Sequence, residues 1–180
     1  MTGSISINRA PVLTLWAAIV AERLGYSRDE ALTLGRAVAG MNAQSKAVHL
    51  GLREPTPPGE RAKKRAAARE PQTVELLGRA VPVVRTAKGL RAATDGKADS
   101  AEAVERYLAG KFGDALDDAR SALAALAARF PPAELASSAY ALYEKSRPEI
   151  PAGTRGWGAK GVLDLGALSR LQPRAAAKRG

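Results

Sequence analysis

Cysteine is absent from this chain, and histidine occurs once, at position 49. Disulfides and thiolate metal sites are therefore excluded, and a zinc site built on several imidazoles has no material. Lack of cysteine fits a reducing compartment, and the first residues do not form the basic segment and apolar run of a secretory signal, so a cytoplasmic location is expected. No stretch approaches the roughly 18 apolar residues of a membrane span, so no membrane partner is expected. Aromatic residues are scarce as well, 4% of the chain against 46% hydrophobic residues in all. Alanine makes up much of the difference, and small apolar side chains favour close-packed helices over a sandwich of large ones.

Positive charge, in contrast, is in excess. The 180 residues include 28 Lys and Arg against 18 Asp and Glu, for a net charge of +10. Residues 53–94 hold ten basic and four acidic side chains, and residues 150–180 hold six and one, whereas residues 95–149 hold seven and ten. Two basic blocks thus flank a mildly acidic region. Such blocks displace counterions from phosphate backbones and equally attract acidic proteins; a purely solubilising role is the alternative.

Helical periodicity organises most of the chain. Pro11 suits a first turn, and Val12, Leu13, Leu15, Trp16, Ile19, Val20 and Leu24 predict a helix over 11–24 that Gly25 stops. Ser27 with Glu30 forms a capping box for a second helix running toward Leu50, on which Gly35 and Ala39 leave room for another helix to come close. Residues 1–54 therefore read as an N-terminal helical pair. The prolines of 55–58 and the basic run with Arg61, Lys63, Lys64 and Arg65 make 55–72 a flexible linker, either a short exposed helix or a segment ordered by an anion.

Between Thr73 and Thr94, Gly78, Pro82 and Gly89 break the helical period. The pattern predicts a small β-hairpin turning at Ala87-Lys88-Gly89, with a further strand at 74–77 and with Pro82 at an edge or bulge; a broken helix competes. Helices starting at Asp99, Asp114 and Pro131-Pro132 read as a three-helix bundle, followed by a Gly-rich loop and a short helix capped by Asp164. The expected fold is mainly α, with residues 73–172 as one unit and 173–180 as a disordered basic tail.

Across the first helical junction, Ala21-x-x-x-Gly25-x-Ser27 with Ala31 and Leu34 resembles the helix-turn-helix of DNA-binding proteins over about residues 17–36. The resemblance implies that Arg28, Thr33 and Arg36, beside Ser27 and Asp29, face the groove. The basic hairpin, carrying Arg79, Arg85, Lys88 and Arg91, resembles the wing of winged-helix proteins, which implies phosphate contact. Arg155-Gly156-Trp157-Gly158-Ala159-Lys160 offers two cations and a ring for stacking on a base; alternatively, Trp157 anchors the loop to the bundle. His49 has no carboxylate or hydroxyl tied to it by a motif, and Asp114, Asp117 and Asp118 suit a helix start, so no catalytic residue, metal or cofactor is expected. The expected function is non-catalytic nucleic-acid binding, to duplex DNA rather than RNA, with transcriptional regulation as its setting. The alternative is a protein-interaction module that self-associates or binds a partner through its first two helices.

Overall fold

The computed structural model describes residues 4–49, 72–94, 96–148 and 161–171. In chain order the elements are β1 Ser4–Ile7, α1 Arg9–Arg23, α2 Arg28–His49, β2 Gln72–Leu76, β3 Arg79–Thr86, β4 Gly89–Thr94, β5 Lys97–Ala98, α3 Ala101–Phe112, a single 3-10 turn Gly113–Ala115, α4 Leu116–Ala128, α5 Pro132–Ser146, β6 Gly161–Asp164 and α6 Leu165–Arg170. The protein is mostly helical, with an N-terminal helix pair, a four-stranded antiparallel sheet and further helices.

Helix α1 is apolar on all sides, and every residue from Pro11 to Ala21 is buried. A helix of that kind is stable only when enclosed. It is enclosed here by α2, α3, α4 and α5, each of which packs on it. Helices α3, α4 and α5 therefore surround α1 instead of forming the expected three-helix bundle. Trp16 secures this arrangement: its indole Nε1 donates to the Ala139 carbonyl of α5 at 2.9 Å, giving a buried aromatic its one required partner.

The turn between α1 and α2 is a Schellman closure. The Tyr26 amide donates to the Ala21 carbonyl and the Gly25 amide to the Glu22 carbonyl, while Gly25 takes a φ of 111°. The chain then reverses so tightly that a β-carbon on Gly35 would collide with the Thr14 carbonyl oxygen and stand 2.8 Å from the Ala18 amide nitrogen. Glycine at this position sets the spacing of the helix pair.

The region read as a small hairpin is a larger sheet of order β2-β3-β4-β5, antiparallel throughout. Strands β2 and β3 join through Leu77-Gly78, both at positive φ, as the favoured two-residue turn demands. Leucine resists that conformation, and its side chain is buried, so burial offsets the backbone cost. The β3 to β4 turn falls at Ala87-Lys88, as the sequence predicts, with Gly89 at a φ of 114°. Pro82 lies on a central strand, not at an edge or bulge. It is tolerated because β3 and β4 pair only from Val83 onward, so the missing N–H breaks no rung of that ladder.

Strands β1 and β6 pair antiparallel, Ser4 opposite Asp164 through Ile7 opposite Gly161. Neither follows from the sequence pattern, in which 161–164 read as part of a loop. Helix α3 starts one residue later than Asp99 suggests: Ser100 is the cap and accepts from the Ala103 amide. Asp164 caps α6 as expected, accepting from the Gly166 and Ala167 amides. One buried cluster runs from Ile7 to Leu168, drawing side chains from both sides of residues 55–72.

Two glycines of α2 should respond oppositely to alanine. At Gly35 the added methyl meets backbone, so Gly35→Ala should destabilise by about 1–3 kcal/mol. At Gly40 nothing lies within 4 Å. There Gly40→Ala should stabilise by about 0.5–1 kcal/mol through helix propensity, and urea denaturation of the two variants reads both signs.

Candidate nucleic-acid interface

The expected groove-facing residues lie on the first half of α2, where α3 and β4 cover the helix. Thr33 is fully buried, so it is not available to a nucleic acid. Its hydroxyl donates to the Glu30 carbonyl at 3.1 Å and accepts from the Ala92 amide of β4 at 3.0 Å. Arg28 is exposed but ion-paired with Glu105 of α3, which also takes Arg120 at 3.4 Å. Arg36 stacks its guanidinium 4.5 Å from the centre of the Tyr107 ring. Burial pushes the Tyr107 phenol up, with the Arg36 charge opposing. Of the three residues expected to face a groove, Thr33 is thus buried under β4, while Arg28 and Arg36 are exposed and engaged with side chains of α3.

Glu30 explains why that face is occupied. It accepts from the Ser27 amide at 2.9 Å and, through its other oxygen, from the Leu90 amide at 2.9 Å. The Glu30 amide in turn approaches the Ser27 hydroxyl at 3.3 Å, completing the capping box. Glu30 and Thr33, one turn apart, therefore bind the amides of Leu90 and Ala92, two residues apart on the side of β4 that faces away from β3. An open strand edge is closed by two α2 side chains. The Ser27 amide first, and the Leu90 amide second, hold the Glu30 carboxyl below its ordinary range.

The four basic residues of the expected wing divide into two pairs. Arg91 is buried, with Nη1 donating to the Leu90 carbonyl at 2.8 Å and Nη2 lying 3.8 Å from Asp29, so it is not presented to a ligand. Arg79 is half-buried and donates to Asn42, whose oxygen also accepts from the Tyr140 hydroxyl. Arg85 and Lys88 are exposed at the β3 to β4 turn, and neither side chain has a hydrogen-bond or ion-pair partner among the described residues. Arg61, Lys63, Lys64, Arg65, Arg155, Trp157 and Lys160 lie outside the described residues, as does the side chain of His49.

An open groove of about 710 Å³ lies between α2, the sheet and α3, lined by Arg36, Met41, Pro82, Asp99 and Tyr107 among others. Three of the polar side chains on its wall are bonded within the chain: Asp99 accepts from the Thr94 hydroxyl at 2.9 Å, and Ser100 caps α3. Among the described residues no three His, Asp or Glu side chains are grouped as metal ligands, and no helix is long and apolar enough to cross a membrane. The apolar surface of α1 expected to receive a protein partner is consumed within the chain. The chain matches no protein-family model, no curated protein and no solved structure.

Replacing Thr33 by Val should leave the Ala92 amide buried without a partner and cost about 1–3 kcal/mol, measured by denaturant unfolding. Glu30→Gln should be pH-dependent. A carboxyl with a depressed folded pKa contributes stability above its unfolded pKa of about 4.3, and that contribution fades as pH falls through the folded value. Wild type should therefore melt above Glu30→Gln at neutral pH, and the gap should close in acid.

Proposed function

We propose that the protein is a non-catalytic nucleic-acid-binding protein that holds duplex DNA by its phosphates. The observation that carries this reading is the placement of charge. All nine expected contact residues outside α2 and the buried or half-buried part of the sheet, eight cations and Trp157, fall in the two basic blocks, and two of them, Arg85 and Lys88, stand exposed with no side-chain partner among the described residues. Phosphate contact requires only accessible cations, and it confers affinity without sequence preference. Thr33 is not part of the reading, being buried. Arg28 and Arg36 are exposed but engaged with Glu105 and Tyr107, so the proposal rests on phosphate contact and not on base readout through α2.

A salt series of binding to mixed-sequence duplex DNA tests this. Log affinity should fall linearly with log salt, and changing Lys63, Lys64 and Arg65 together to Gln should flatten the slope by about 0.9 for each phosphate no longer neutralised. Arg85→Gln combined with Lys88→Gln should flatten it further, while Arg36→Ala should leave the order of preference among DNA sequences unchanged. Affinity that does not depend on ionic strength would overturn the proposal.

A further inference from the structure

The four-stranded sheet treats its two sides unequally. On one side, the β4 amides of Leu90 and Ala92 are taken by Glu30 and Thr33, and the Ala92 carbonyl accepts from the Asp99 amide. On the other side lies β2, the longer of the two terminal strands of the sheet, β5 having only two residues. In an antiparallel ladder, alternate residues direct both backbone groups toward the neighbouring strand. The two-residue turn at Leu77-Gly78 makes Leu76 and Arg79 a bonded pair, and with it Val74 and Val81, and Gln72 and Val83. Thr73 and Glu75 therefore point their N–H and C=O groups outward. Both residues are exposed, and neither has a backbone hydrogen bond beyond the sheet among the described residues. Proteins guard such an edge with charged side chains, lysine above all, with proline or with a bulge; β2, Gln-Thr-Val-Glu-Leu in regular register with β3, has no lysine, proline or bulge and a single charge, Glu75.

We propose that two copies of this chain associate edge to edge through β2, antiparallel, in a register centred on Val74. Thr73 of each copy then faces Glu75 of the other, so the two outward residues form bonded pairs, and Val74 meets its counterpart in the closer, non-bonded position. Val74 is half-buried on the face that buries Leu76, so the seam extends the existing core. Charge and chemistry select this register over its neighbours. A shift one way sets Glu75 against Glu75, which repels; a shift the other way sets Thr73 against Thr73 and leaves Glu75 with no partner inside β2, so fewer bonded pairs form. The surface differs from the first two helices, and the inference does not rest on nucleic-acid binding.

Sedimentation equilibrium of the full chain without DNA should show a monomer and dimer in concentration-dependent exchange. Two substitutions at exposed Thr73 test the register with little risk to the fold. Thr73→Glu places two carboxylates opposite each other twice per dimer and should weaken association, whereas Thr73→Lys creates two opposite-charge pairs and should strengthen it, each by about two- to thirtyfold. Overall charge argues the other way: Lys adds to the net positive charge of both copies and Glu reduces it, so unspecific repulsion would reverse the order. Amide exchange at Thr73 and Glu75 should slow as concentration rises. A chain that stays monomeric to millimolar concentration, a dimer in which those two amides exchange freely, or a reversed order of the variants would each overturn the proposal.

Discussion

Backbone meets backbone where α2 crosses α1, because Gly35 presents no side chain to Thr14 and Ala18. Much of the structure depends on that approach. It seals one side of a helix that is apolar all round, and it fixes where the first turns of α2 lie relative to the sheet. From there Glu30 and Thr33 reach the outward amides of β4. A wider crossing would carry both side chains off the strand and leave two buried or half-buried N–H groups without partners, a loss of about 1–3 kcal/mol for each fully buried one. Close packing of α1 and closure of the sheet are thus consequences of one small residue.

Most arginines of the described residues are put to structural use. Arg9 donates to the Pro148 carbonyl at 2.9 Å, Arg23 to the Phe130 carbonyl at 3.2 Å, and Arg129 to the Leu168 and Leu171 carbonyls at 3.2 and 2.9 Å. These acceptors lie at or just past the ends of α5, α4 and α6, where helix carbonyls lack intrahelical partners and the dipole favours a cation. The planar, multiply donating guanidinium suits such long-range latches better than a lysine ammonium. Burial is the main reason the Arg9 guanidinium titrates below its ordinary range, with Arg147 adding to it. Net charge therefore overstates the charge open to a ligand, and the exposed Arg85 and Lys88 matter more to the proposed function than the larger number of arginines tied down elsewhere.

The sequence by itself determined the helices, the capping box, the Gly25 stop, the close-approach side of α2 and the Ala87-Lys88 turn. Each of these is local: a cap bonds three residues away, a positive φ belongs to one residue, and helical periodicity repeats within a few turns. Ser4-Ile5-Ser6-Ile7 alternates at the strand period, a signal for β1 that four residues carry too weakly to be read without the partner strand Gly161–Asp164 at the far end of the chain. Only the tertiary structure decided what each face meets. That Thr33 lies under β4 instead of in a groove, that Arg91 turns inward to Asp29 while Arg85 stays out, and that α3, α4 and α5 gather around α1 all depend on contacts between distant segments. The residue types are the same in either arrangement; burial, which no local pattern specifies, decides that Thr33 supports β4 while Arg28 and Arg36 stay at the surface.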